Sequence, residues 1–77
     1  MLIDLTRMKT GEKGTIKELR GGYNFMKKAE SMGLRSGSSI KKISSHFWGG
    51  PQTIEVGKAK FAVGFGMAGK IFVEVKR

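Results

Sequence analysis

Cysteine is absent from this 77-residue chain. Disulfides and thiolate metal sites are therefore excluded outright, and the absence suits a reducing compartment. Proline and histidine occur once each. A metal site built by protein ligands usually gathers three or four N, S or O donors. His46 stands among scattered carboxylates, with no H-x-x-H, no E-x-x-H and no paired acids. Neither a resident cofactor nor a metal site contained within one chain is expected, although a site shared across an interface stays open. No apolar stretch approaches the roughly 20 residues that span a bilayer. The opening Met1-Leu2-Ile3-Asp4-Leu5-Thr6 lacks the basic start and apolar run of a signal peptide. These absences read as one soluble, cytoplasmic domain over residues 1–77, a length suited to a single small core.

Acidic residues are also scarce. Six stand against fifteen Lys and Arg, for a formal net charge of +9. Such an excess draws polyanions or acidic protein surfaces and says little about fold. The charges form no tail; they run from Arg7 and Lys9 through Lys27-Lys28 and Lys41-Lys42 to Lys76-Arg77. A solubilising lysine-rich surface and a polyanionic partner both account for that spread.

What the chain has in abundance is glycine, with twelve residues that cut it into short pieces, as in small β-rich domains with many turns. Leu2, Leu5 and Met8 predict a short lead-in packed on the core. Residues 14–20 predict a first strand, with Ile16 and Leu19 three apart, a spacing that signals a bulge or strong twist. Over 25–32, Phe25, Ala29 and Met32 recur at helical spacing, with Asn24 placed to cap the start. Gly33 can take the left-handed conformation past the end, folding Leu34 back onto the last turn. Further strands are predicted at 39–46, 51–56 and from Phe61 to Val63, with a turn at Gly57-Lys58. The last, 70–75, alternates most clearly and puts Phe72 on the face opposite Ile71, Val73 and Val75. Strands this short with one small helix do not make a βαβ sheet. The fold class expected is mainly β, a small SH3-like barrel of about five strands with one short helix, because closure removes exposed edges.

Gly64-Phe65-Gly66-Met67-Ala68-Gly69 matches G-x-G-x-x-G letter for letter. The dinucleotide fingerprint needs a long helix and an acidic residue about 20 positions on, whereas only eight residues come after Gly69. A tight, helical-turn-like connection is the better reading. His46-Phe47-Trp48, beside Gly49-Gly50-Pro51, puts two large aromatics in a flexible setting. They could plug a barrel mouth, anchor a protein contact or stack on bases. Lys41, Lys42, Lys58 and Lys60 gather near them if the middle strands are neighbours. The Ser44-Ser45-His46 sequence makes no nucleophile–base pair by adjacency alone, and no Gly-Lys-Ser/Thr phosphate loop is present. The chain does not read as an enzyme.

The order of these features resembles a known family. Leu5, Met8, Gly11, Gly14 and Ile16 are followed by Gly22 before the helix, then by Met32-Gly33-Leu34 and Gly37. Gly50-Pro51, Ile54, Val56-Gly57, Met67-Ala68, Ile71 and Val73 complete the series. Across nearly the whole chain this is similar to the FeoA family, ferrous iron transport protein A. Ala29 and Met32 stand where that family usually has leucines, and Gly50 precedes Pro51 where an acidic residue is common. The resemblance implies an SH3-like barrel acting as a small cytoplasmic accessory to FeoB, the ferrous iron transporter, through its cytosolic GTP-binding domain. The membrane is then reached only through that partner. Family labels often include transition-metal binding; no ligand set in this sequence supports it. Contacts are expected through His46, Phe47, Trp48, Lys58 and Phe65, with no nucleic acid partner. The alternative, a basic nucleic-acid-binding small barrel, predicts affinity that falls steeply with salt.

Overall fold

The computed structural model describes residues 1–45 and 49–77. Its strands are β1 (Leu2–Asp4), β2 (Lys13–Leu19), β3 (Ser39–Ser45), β4 (Gln52–Val56), β5 (Ala59–Val63) and β6 (Ile71–Glu74). The helices are α1 (Tyr23–Ser31) and the single turn α2 (Phe65–Ala68), with a 3-10 turn at Leu5–Arg7. All strand pairs are antiparallel, in the order β1-β6-β2-β3-β4-β5. Ile3 of β1 and Val63 of β5 lie on opposite edges yet belong to one buried cluster with Ile16, Ile40, Ile54, Ile71 and Val73. The sheet therefore curls around a single core, which is the SH3-like arrangement.

Period-two alternation fixes which side chains enter that core. Ile71 and Val73 are fully buried, while Phe72 faces outward under the Arg20 guanidinium, 4.2 Å from the ring centroid. Glu18 holds that guanidinium with two bonds of 2.7 and 3.1 Å. Between Ile16 and Glu18 the register against β6 slips by one residue. That bulge reconciles Ile16 facing inward with Leu19 packing against the core from three positions on. A second slip, between Lys42 and Ser44, interrupts the β3–β4 pairing.

The lead-in adds a sixth strand. Ile3, Leu5 and Met8 are buried; Leu2, expected on the core, is instead half exposed because β1 pairs with β6 and alternation turns it outward. Asp4 ends the strand by accepting the Thr6 N–H at 2.9 Å, which starts the 3-10 turn. The Met1 ammonium donates to the Val75 carbonyl at 2.7 Å and to the Glu74 carboxylate, closing the two termini together.

Helix α1 buries Ala29 and packs Phe25, with Met32 buried just beyond its end. Its start corrects the sequence reading. Gly22 is the N-cap and makes no side-chain cap bond, so Asn24 sits inside the first turn, exposed. The helix begins two residues early, with an exposed Tyr23 as its first residue. Its end is as expected. Gly33 has φ +77°, its N–H donates to Glu30 O at 3.0 Å, and Leu34 N–H donates to Ala29 O at 2.9 Å. This paired pattern satisfies the last carbonyls and buries Leu34. At Gly14 the constraint is space: an added Cβ would lie 2.4 Å from Val73 Cγ1 and 2.9 Å from Glu74 O.

Candidate partner-binding surfaces

Of the residues singled out for partner contact, His46, Phe47 and Trp48 lie outside the described residues. Phe65 opens α2, with half of its surface exposed. The turn is closed by Ala68 N–H on Gly64 O (2.9 Å) and anchored by buried Ala68, so the Gly64–Gly69 motif is the helical-turn connection into β6. A Cβ on Gly49 would meet the Phe65 ring at 3.6–3.7 Å. Gly49 thus lies against Phe65, with Gln52 Nε2 donating to Gly50 O at 3.3 Å in the next residues.

Lys58 is elsewhere. Gln52 pairs with Val63 at one end of the β4–β5 hairpin, and Gly57-Lys58 makes the turn at the other. Five paired positions put about 13 Å between the two ends at ~3.3 Å per residue. Gly57, at φ +62°, lines a different feature from Phe65: an open cleft of about 700 Å³ on the outer face of the sheet.

Charged and hydroxyl-bearing residues make up most of the cleft's lining, and register explains why. Gly14, Ile40, Ile54 and Val73 face inward, so their neighbours Lys13, Thr15, Ser39, Lys41, Glu55 and Glu74 share the outer face. Lys13 pairs with Lys41, Lys41 with Glu55, and Glu55 with Lys60, making one row across β2, β3, β4 and β5. Thr15 pairs with Ser39 in the next row, bringing two hydroxyl-bearing side chains together. Lys76 and Glu12 line the rim.

Two of the three carboxylates here are already committed. Glu12 takes Arg77 Nε at 3.0 Å and Nη2 at 2.8 Å, and the Lys9 N–H at 2.9 Å. The Arg77 bonds, then the backbone donor, hold its pKa down to about 2. Glu74 is held below the usual carboxylate range, first by its bond to the N-terminal ammonium. Lys13, Lys41, Lys60 and Lys76 have no ion pair among the described residues.

The grouping of Lys41, Lys42, Lys58 and Lys60 needs one correction. Lys42 is fully buried, with Nζ donating to Leu5 O (2.9 Å) and Met8 O (3.2 Å). Burial pushes its pKa down, opposed by the charges of Asp4 and Glu12. Adjacent strand residues face opposite sides, so Lys41 and Lys42 could not share a surface; that parity was visible in the sequence. Lys13 and Lys76 were missed because only pairing brings them to Lys41. Among the described residues no three His, Cys, Asp or Glu side chains gather as a metal site.

The FeoA domain model matches residues 3–75. A Methanocaldococcus jannaschii protein provisionally named Fe(2+) transport protein A is 36% identical over 66 residues, 86% of this chain and 78% of that one. The crystal structure of an iron uptake regulatory protein, FeoA, superposes with a TM-score of 0.86 at 39% identity, covering 96% of both chains. A manganese-dependent transcriptional repressor superposes with a TM-score of 0.90 over 97% of this chain. At 17% identity, and with 42% of the repressor covered, that likeness shows the fold alone. The family match runs from β1 to the residue after β6, taking in every element of the sheet, and the chain belongs to the FeoA family.

Proposed function

We propose that this chain is a small accessory of ferrous iron uptake that binds the cytosolic GTP-binding region of a FeoB-type transporter and modulates it. The observation that carries this reading is the family match over residues 3–75, joined by relatives named for iron(II) transport and uptake. The accessory acts by contact rather than catalysis, at the cytoplasmic side of the membrane, and attaches there through its partner. No helix among the described residues is long and apolar enough to cross a membrane. Contacts are proposed through His46, Phe47, Trp48, Lys58 and Phe65. The half-exposed Phe65 ring against Gly49 offers an apolar anchor of the kind that dominates protein interfaces.

The test is an NMR titration of isotopically labelled protein with the cognate FeoB cytosolic domain at ~0.15 M ionic strength. Saturable, localised shifts are the expected result. Their absence at protein concentrations of ~1 mM, where even weak docking with a ~1 mM Kd registers, overturns the proposal. A second reading, nucleic-acid binding, is favoured by the net charge of +9. An oligonucleotide titrated alongside decides it, since that reading demands strong salt dependence.

A further inference from the structure

The outer-face cleft carries a charge pattern that the family match does not explain. Its walls bring Lys13, Lys41 and Lys76 together, with Thr15 and Ser39 in the row beside Lys13 and Lys41. Lys60 extends the row one strand further. Two nearby carboxylates face these lysines, but each already has an internal cation: Glu12 has Arg77, and Glu74 has the N-terminal ammonium. Glu55 alone, between Lys41 and Lys60 in register, is not in an ion pair among the described residues. The four lysines thus leave an excess of three positive charges; Lys13 and Lys41 stand on β2 and β3, each paired with a strand on both sides.

We propose that this cleft is a docking groove for an acidic, extended segment of a protein partner, its carboxylates meeting Lys13, Lys41 and Lys76 and its polar groups meeting Thr15 and Ser39. As a further docking face for the accessory role above, in addition to the Phe65 surface, it rests on that reading. Charge complementarity selects an acidic occupant. The lining selects a peptide over a nucleic acid. Among the described residues no aromatic side chain lines the cleft on which a base could stack, and Glu55 repels an unbroken run of phosphates while accepting a hydrogen bond from a peptide. The neighbouring turn places Lys58 beside Gly57 at the rim, so one of the expected contact residues borders this groove.

The probe is hexaglutamate, titrated into labelled protein at ~0.15 M ionic strength, with hexathymidylate in parallel. Two variants carry the same loss of charge: Lys13→Gln/Lys41→Gln/Lys76→Gln in the cleft, and Lys27→Gln/Lys28→Gln/Lys70→Gln away from it. Hexaglutamate is expected to shift the amides of Lys13, Thr15, Ser39 and Lys41 saturably. Its Kd should rise roughly tenfold in the cleft variant, as loss of three partly exposed ion pairs implies, and less than about twofold in the remote one. Equal weakening in both variants reduces the effect to net charge and overturns the proposal. Shifts scattered over the surface, or hexathymidylate bound in the cleft as tightly as the peptide, overturn it too. The FeoB domain supplies the last arm. Binding to wild type and cleft variant alike removes the cleft as a docking face and leaves the accessory role standing. Binding to neither overturns the accessory role, while the hexaglutamate arm still decides the groove.

Discussion

Replacing Gly14 by alanine tests how closely β2 and β6 approach. The new Cβ would sit 2.4 Å from Val73 Cγ1, 2.9 Å from Glu74 O and 3.0 Å from Val75 Cγ1. Carbon atoms in ordinary contact stand ~3.5–4.0 Å apart, so one side must retreat by more than an ångström. Val73 is fully buried and Val75 nearly so, and the third obstacle is backbone, which leaves no flexible side-chain end to swing away. Overpacking of this kind costs about 3 kcal/mol at the upper end of its range. Alanine returns up to ~1 kcal/mol by restricting the unfolded chain, for a net loss of about 2 kcal/mol. With an unfolding entropy of ~2.1 cal/mol/K per residue, the melting temperature of a chain this size falls by about 12 °C. Gly66 is the control: its added Cβ meets nothing within 4 Å and its φ is not positive, so Gly66→Ala should be neutral or raise stability by ~0.5 kcal/mol. Val73→Ala combined with Gly14→Ala should show a favourable coupling of about 1 kcal/mol in a double-mutant cycle, since it removes the nearest atom. Thermal and urea unfolding of these variants beside wild type give the answer. A Gly14→Ala melting temperature within about 3 °C of wild type would refute the steric argument.

Three further outcomes are expected from the described geometry. The Glu12 carboxyl should titrate near pH 2 rather than 4.5 in a carbon-detected NMR experiment, and return toward 4.5 in Arg77→Gln. Because its folded pKa is depressed, the stability it contributes is present above pH 4.5 and is lost as pH falls toward 2; a wild-type midpoint near 4.5 would sink this. Lys42→Ala should destabilise by about 3 kcal/mol through lost burial and the Met8 carbonyl left without its donor. Lys42→Met tests the charge. The folded pKa of Lys42 is lowered, so the unfolded chain binds the extra proton between that value and ~10.4. Wild-type stability relative to Lys42→Met should therefore rise with pH through that window and be flat below it; a falling difference contradicts the assignment. Asn24→Ala should change stability by less than ~0.5 kcal/mol, whereas loss of a true N-cap costs about 1 kcal/mol; urea unfolding separates the two.

Much of the scaffold was legible from spacing. Phe25, Ala29 and Met32 gave α1 its inner stripe, and Gly33-Leu34 gave its end, because helix periodicity and left-handed caps are local effects. Ile71, Val73 and Val75 gave β6 for the same reason. The Gly64–Gly69 motif was separated from nucleotide binding by the short strand after it, which leaves no room for the long helix a pyrophosphate site requires. Asn24 misled because a good capping side chain competes with early helix growth, and nothing local decides between Gly22 and Asn24 as the first residue. Phe65 was found as an exposed aromatic, but its neighbour Gly49 and its distance from Lys58 came only from the hairpin.

What the sequence alone determined is α1, the strands β2 to β6 and the turns between them, since periodicity and turn residues act over a few positions; β1 came only with its pairing to β6. Tertiary structure decided the charges. Lys42 reads as a surface lysine until Leu5 and Met8, 37 and 34 positions away, supply the carbonyls that let it be buried. Glu12 reads as a free acid until Arg77, 65 positions on, claims it. The cleft is the sum of such choices. A side chain's charge is written in the sequence, but its partner and its dielectric surroundings exist only once distant strands are paired.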